Sequence, residues 1–379
     1  MTSSGGRPLV LHVLEALEGG TSRHLVDLVR HATATDHVVA IPPRRVGGVT
    51  DELAVPQMRD AHADIRFVTM HRTPWSYANA LALPNLARLI HDVKPDAVHG
   101  HSSIGGLLAR LAATGSGRPT VYTPNGITPV RAGVAVERAL RWRTDVFVAV
   151  SESEGQLAVR LGVARPEQVV VIPNGIEVDP APTPLDLRDH LGLPVGTPLV
   201  GTIARLVPQK APEDFVAACE LIGRAVPEAR FVLIGSGELE HEVDDAVIRG
   251  GLQERFTRIP NLPGAAGVLE QLDVFALSSR FEGGPYSPLE AMRAGTPVVL
   301  TEVVGSRDAV EDGVSGLVVP PADVRALAEA VVSLLHDPVR REAMGSAGRE
   351  RVVARFDVRT MGAALDGLYQ DLRDRTLPR

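Results

Sequence analysis

The chain has 379 residues, 44% of them hydrophobic and 22% charged, with a formal net charge of −7. That length exceeds a typical single domain and that apolar content fills cores, which excludes wholesale disorder and suggests two domains. The negative balance argues against nucleic acid as the main partner, no apolar run reaches the roughly 18 to 20 residues of a membrane span, and the opening Met-Thr-Ser-Ser-Gly-Gly-Arg-Pro lacks the apolar centre of a signal peptide, so a cytoplasmic protein is expected.

Residues 9–14 form a short apolar run, followed by Glu15-Ala16-Leu17-Glu18-Gly19-Gly20 and an amphipathic segment at 21–31. This reads as a strand, a glycine turn and a helix. There is no Gly-x-Gly-x-x-Gly, so a dinucleotide site is not supported. Strand patterns at 37–41, 65–68, 97–100, 120–123 and 145–150 alternate with helical ones such as 77–93. Alternation of this kind predicts a doubly wound parallel sheet. The irregular stretches 42–64 and 71–77 are where acceptor contacts are expected.

Val98-His99-Gly100-His101-Ser102 closes one of these strands. A histidine at a strand's carboxyl end is placed for a ligand, with a capping or merely exposed side chain as the alternative; His101 is the candidate and His99 a support of the strand end. Tyr122-Thr123-Pro124-Asn125-Gly126 is a turn in which Asn125 either adopts positive φ or hydrogen-bonds a ligand. Arg131, Arg138, Arg141, Trp142 and Arg143 make a basic helical stretch, suited to lipid phosphates or an anionic acceptor, with a solvated charged face as the default.

After 169–172 and Pro173-Asn174-Gly175 come three prolines within 180–184, read as a linker with the domain boundary near 180. The pattern then restarts. A strand at 199–203 leads to Arg205 and Lys210, just before a helix from about 212; two cations beside a helix N-terminus suit a diphosphate, or are simply surface charge. Cys219 sits in that helix's apolar pattern and reads as a buried, inert thiol. A strand at 231–234 ends in Gly235-Ser236-Gly237, another glycine turn.

Residues 273–278 form the next strand, running into Phe281-Glu282-Gly283-Gly284-Pro285-Tyr286-Ser287-Pro288-Leu289-Glu290. Ser287 is the expected N-cap of a short helix, with Pro288 at its first position and Glu290 completing a capping box. Glu282 precedes two glycines that let backbone approach a ligand closely. Eight positions apart, the two carboxylates can meet one ligand from two sides. A glycosidase-like acid/base pair is an alternative reading.

This segment, with the Ala-Met-Arg-Ala-Gly-Thr-Pro-Val-Val that follows, resembles the E-x7-E signature of retaining glycosyltransferases of family 4. The resemblance extends over essentially the whole chain, through Gly201-x-x-x-Arg205-Leu206-x-x-x-Lys210, Ile234-Gly235-x-Gly237 and His99-x-His101. It implies an α/β fold of GT-B type, two Rossmann-like doubly wound domains facing across a cleft. An acceptor-binding domain would occupy 1–179 and a nucleotide-sugar domain 180–355, with a helix at 356–379 crossing back. It also implies roles. Glu282 holds a donor-sugar hydroxyl, Glu290 the ribose, Arg205 and Lys210 the diphosphate, His101 the donor sugar, and Gly20 approaches the diphosphate. Asn125, Gly235, Gly283, Gly284, Pro285 and Tyr286 complete the donor site.

Two departures stand out. Asn125 replaces the histidine common in that turn, and Thr257-Arg258-Ile259-Pro260-Asn261-Leu262 replaces the usual segment before the base-binding contacts. The chain contains no Asp-x-Asp, so positive charge is expected from Arg205, Lys210 and helix dipoles, with no metal or other cofactor. The expected activity is transfer of a sugar, with retention, from a nucleotide-sugar donor, UDP-linked for preference, to a hydroxyl on a small molecule, glycan or lipid-linked acceptor. A nucleotide-sugar isomerase of 2-epimerase type or a non-catalytic nucleotide-sugar-binding subunit are the alternatives.

Overall fold

Short apolar runs separated by amphipathic segments favour parallel strands covered on both faces by helices. The computed structural model describes residues 6–43, 51–73, 76–127, 130–179, 185–260, 262 and 264–376. It contains two such sheets.

In the first, β1 (Leu9–Val13), β2 (Asp36–Ile41), β3 (Asp64–Phe67), β4 (Ala97–His101), β5 (Thr120–Thr123), β6 (Val146–Ala149) and β7 (Val169–Val171) lie in the order β3-β2-β1-β4-β5-β6-β7. Every pairing is parallel. Its helices are α1 (Gly19–His31), α2 (Ala54–Asp60), α3 (Tyr77–Val93), α4 (Ser103–Ala112), α5 (Arg131–Leu140) and α6 (Glu152–Leu161).

The second sheet has β8 (Leu199–Ile203), β9 (Arg230–Ile234), β10 (Phe256–Ile259), β11 (Val274–Leu277), β12 (Val298–Thr301) and β13 (Leu317–Val319), in the order β10-β9-β8-β11-β12-β13 and again parallel. With it go α7 (Leu187–His190), α8 (Pro212–Ala225), α9 (Glu240–Arg249), α10 (Tyr286–Arg293), α11 (Ser306–Ala309), α12 (Val324–Leu335) and α13 (Pro338–Arg355). Each strand order reverses once, between β1 and β4 and between β8 and β11. Loops leaving the carboxyl ends of those strand pairs are where open α/β sheets bind ligands.

The chain divides into two compact units, Met1–Gly175 with Val358–Arg379, and Ile176–Asp357. The crossing thus falls a few residues before the expected linker, of which residues 180–184 lie outside the described ones. The last helix, α14 (Val358–Thr376), belongs to the first unit: Met361, Leu365, Tyr369 and Leu372 share a core with Leu25, Leu28 and Val29 of α1. Gly362 permits that packing, since a Cβ there would stand 2.3 Å from the His31 carbonyl oxygen. Among the described residues no helix is long and apolar enough to cross a membrane.

Local boundaries differ from the sequence reading in three places. Helix α1 starts at Gly19, so Gly20 lies inside its first turn rather than in a preceding loop. Within the stretch expected to be irregular, α2 spans Ala54–Asp60, while residues 44–50 and 74–75 lie outside the described ones. Helix α10 begins at Tyr286 with Pro285 as its N-cap and no side-chain cap, which removes the capping box expected for Ser287 and Glu290. Pro288 is tolerated at the third helical position because the first four N–H groups of a helix have no intrahelical acceptor.

Candidate active site

In the second unit, the β8 and β11 loops flank the strand-order reversal and are tied together. Ser278 Oγ donates to the Lys210 and Ala211 carbonyls at 3.0 and 2.9 Å, the Arg280 N–H donates to the Gln209 carbonyl at 2.8 Å, and Gln209 Nε2 donates to the Phe281 carbonyl at 3.0 Å. Arg280 also pairs with Asp214 of α8 at 2.7 Å. On this scaffold Lys210 Nζ sits 2.5 Å from Glu282 Oε1, which also accepts from Ser279 Oγ at 2.5 Å. Both partners are largely buried, with 14% and 5% of their side chains exposed.

The sequence reading assigned Lys210 and Glu282 to different groups of one donor, the diphosphate and the sugar; the structure makes them one ion pair. Burial strengthens such a pair but leaves either partner costly alone. Glu290, buried in α10, and the Gly283-Gly284 backbone belong to the same strand-loop-helix turn. The Gly305 turn packs so tightly there that a Cβ would stand 2.3 Å from the Gly283 carbonyl oxygen. Arg205 is half-buried after β8. Gly235 has a structural duty of its own: at φ +150° its absent Cβ would lie 1.9 Å from the Ala204 carbonyl oxygen, and its N–H donates to the Ile259 carbonyl at 2.9 Å. Asn261, in the segment that departs from the family pattern, lies outside the described residues.

In the first unit, the reversal between β1 and β4 is occupied by histidines. His12 and His99 are register partners across the ladder, and His101 closes β4. His99 is held by Tyr369 Oη of α14 and Thr123 Oγ1, both at 2.8 Å, so it supports the strand end as expected. His12 bonds His101 at 3.1 Å and His37 at 3.0 Å, and His37 Nε2 meets the Ala32 carbonyl at 3.0 Å. His24 of α1 bonds Asn174 at 2.9 Å. Sequence reasoning overlooked His12, His24 and His37, which belong to no motif and are brought together only by the fold. Burial holds all five rings below the ordinary histidine value, His24 at about 4, and among the described residues no carboxylate is bonded to them that would favour the charged form.

His12, His99 and His101 each bring a ring nitrogen within 4.8 Å of the others. Every nitrogen of His12 and His99 is already engaged in a hydrogen bond, so the three rings belong to one bonded network. Beside it, Ser102 is held at φ 59° while its Oγ donates to Glu15 Oε2 at 2.5 Å, and the same oxygen accepts the Gly105 N–H at 2.9 Å. Burial raises the Glu15 carboxyl. Asn125 adopts φ 56°, the turn conformation that asparagine tolerates, and both atoms of its amide are buried without a partner. Glu154 fixes that turn, accepting the Gly126 and Val150 N–H groups at 2.7 and 2.8 Å; burial pushes its carboxyl up to about 7.

The first unit also holds a cavity of about 770 Å³ under α5, walled by Leu107, Leu111, Ile127, Val136 and Phe147. The carboxylate in its wall, Glu137, is matched by Arg110 at 2.7 Å and Tyr122 Oη at 3.1 Å, which leaves the wall essentially apolar. Nearby Trp142 is 70% exposed, with the Arg165 guanidinium 3.8 Å over its ring.

Two units, each built on a doubly wound parallel sheet with one strand-order reversal, have the architecture of the GT-B class. Two family models match, Glycosyltransferase Family 4 over residues 18–180 and Glycosyl transferases group 1 over 185–351. The 2-deoxystreptamine N-acetyl-D-glucosaminyltransferase of Streptomyces fradiae is 31% identical over 76% of this chain and 74% of its own. The UDP-Gal:alpha-D-GlcNAc-diphosphoundecaprenol alpha-1,3-galactosyltransferase of Escherichia coli is 27% identical over 77% and 79%. Among solved structures, Anabaena HepE in complex with UDP and glucose superposes with a TM-score of 0.81 at 21% identity, covering 96% of this chain and 100% of that one. The chain belongs to the glycosyltransferase family 4 group, and it is a hexosyltransferase.

Proposed function

We propose that the protein is a cytoplasmic, retaining enzyme that transfers a hexose from a UDP-sugar to a hydroxyl of an acceptor with an apolar portion. The observation that carries this reading is the Lys210–Glu282 pair at the reversal of the second sheet, a cation suited to phosphate and a carboxylate suited to a sugar hydroxyl, 2.5 Å apart. In the reaction the bond between the anomeric carbon and the diphosphate oxygen breaks, the nucleoside diphosphate leaves with the electron pair, the acceptor oxygen bonds the same face of that carbon, and the acceptor proton is released.

Arg205 and Lys210 offset the growing diphosphate charge without a metal, Glu282 and His101 hold the sugar, and Glu290 holds the ribose. The backbone at Gly20 and at 283–286 lines the donor, and Asn125 adds a hydrogen-bonding amide. The UDP and UDP-glucose complexes of HepE and the UDP-galactose donor in the name of the Escherichia coli relative support the choice of UDP. The apolar cavity under α5 supports an acceptor with a hydrocarbon part, as does the diphosphoundecaprenol in that relative's name.

A thermal-shift panel of UDP-glucose, UDP-galactose, UDP-N-acetylglucosamine and GDP-mannose tests the donor, since a ligand at 100 times its Kd stabilises by about 2.7 kcal/mol. Turnover of the best donor is then followed with and without acceptor and with and without chelator, and the product anomer is read by NMR. Stabilisation by GDP-mannose alone, loss of turnover in chelator, or an inverted product each overturns the corresponding part. Donor conversion without acceptor would point to the isomerase.

A further inference from the structure

The histidine network has a direction that its chemistry fixes. A backbone carbonyl only accepts, so His37 must present Nε2–H to Ala32. Neutral His37 then has a bare Nδ1, which accepts from His12 Nε2–H; His12 Nδ1 is bare in turn and accepts from His101 Nε2–H. The chain of bonds ends at His101 Nδ1, a lone pair that is buried and has no partner. A second histidine arrives at the same state independently. Asn174 Oδ1 only accepts, so His24 carries its proton on Nδ1 and leaves Nε2 bare, again buried without a partner. The His24 and His101 rings lie 5.7 Å apart.

Buried polar atoms are nearly always satisfied, so two bare acceptors on neighbouring rings, with an unpaired amide oxygen and an unpaired amide N–H of Asn125 just beyond the adjacent strand, mark a place built for groups that donate hydrogen bonds and can also accept one, as hydroxyls do. We propose that His12 and His37 are positioning residues for His101, and Asn174 for His24, which set both imidazoles as acceptors for hydroxyl groups of the transferred sugar. The inference rests on the reading of His101 as a sugar-binding group, and adds His24 as its partner. An acceptor pair takes O–H groups and refuses a carboxylate or carbonyl oxygen, which would face a lone pair with another lone pair.

The test begins with the wild-type protein and no substrate. Two-dimensional NMR of ¹⁵N-histidine-labelled enzyme distinguishes the tautomers, and the expected pattern is Nε2–H at His12, His37 and His101 and Nδ1–H at His24. A reversed tautomer or a charged ring at His101 or His24 near pH 7 overturns the proposal, whatever the enzyme is found to transfer. The second arm uses His12→Leu, which removes the acceptor for His101 Nε2–H, and His12→Gln, whose amide donates to His37 and accepts from His101 as the native ring does. With the sugar nucleotide that stabilises the wild type most in the panel above, His12→Leu should move the His101 proton to Nδ1 and raise the donor KM about tenfold with kcat changed less. His12→Gln should recover most of the loss. Equal donor KM values in His12→Leu and the wild type overturn the proposal, as does a His12→Gln enzyme that folds and is as impaired as His12→Leu. If His12→Leu does not fold, the wild-type tautomers and the His12→Gln kinetics decide: native tautomers with a near-native donor KM support the proposal, and a reversed tautomer or a KM raised tenfold in His12→Gln overturns it.

Discussion

Glu282 and Lys210, proposed to bind the donor, also hold each other in place. Removing the lysine alone leaves a carboxylate 5% exposed without its counter-charge. Lys210→Ala is therefore expected to cost about 3 kcal/mol of stability, the cost of breaking a buried pair. Lys210→Ala with Glu282→Gln should regain most of it while still binding UDP weakly; a double variant no more stable than the single one would show that the pair is held for other reasons. The two glutamates of the motif separate in the same way. Glu290→Ala should weaken both UDP and UDP-sugar, and any stability lost comes from the surroundings of a buried carboxylate and not from a helix cap. Glu282→Ala should leave UDP affinity nearly intact and lower turnover, mostly in kcat if the contact strengthens as the sugar gains positive charge. Calorimetry with UDP beside steady-state kinetics decides, and abolition of UDP binding by Glu282→Ala with full turnover in Glu290→Ala would reverse the assignment.

At the scale of elements, α14 returns to the unit in which the chain began because its apolar stripe, Met361, Leu365, Tyr369 and Leu372, packs into the core that α1 shares. Tyr369 adds a polar contact, its Oη on His99 at 2.8 Å. The helix thereby braces the strand that ends in His101. Gly362 is a tight point of that packing. Gly362→Ala is expected to lower stability by about 1 to 3 kcal/mol, the usual cost of overpacking, even though alanine is the better helix former by about 1 kcal/mol. A urea titration in which Gly362→Ala matched or exceeded the wild type would show that α14 slides to make room.

For the molecule as a whole, protonation is the condition to which the first unit is most exposed. His24 is held at about 4 against an ordinary 6.5, so the unfolded chain takes up protons first as pH falls; its contribution is complete above about pH 6.5 and lost progressively down to about 4. That single ring accounts for on the order of 3 kcal/mol. His12, His37, His99 and His101 shift in the same direction. Glu154 opposes them: its value is raised from 4.5 to about 7, so it favours the folded state most below pH 4.5 and not above 7, and Glu15 is raised as well. Five histidines are thus shifted against protonation and two carboxylates towards it. The urea midpoint is expected to fall clearly between about pH 7 and pH 5, and an unchanged midpoint would mean that the rings are already charged and paired in the native state.

The two parallel sheets and the elements that carry Glu282, Lys210 and His101 were legible before any coordinates, because apolar periodicity, glycine turns and the eight-residue spacing of the glutamates are local facts. Asn125 was legible too, since its tolerance of positive φ is a property of the residue and its φ is 56°. Folding in three dimensions was needed to bring Lys210 to Glu282, 72 positions away, and to start α10 at Tyr286 instead of after Ser287. It also gathered His12, His37 and His101 from three strands, and His24 from a helix, into one cluster. A hydrogen bond between rings 89 residues apart leaves no periodicity to read, and an isolated histidine in an apolar strand looks the same whether it fills the core or sets the tautomer of a neighbour.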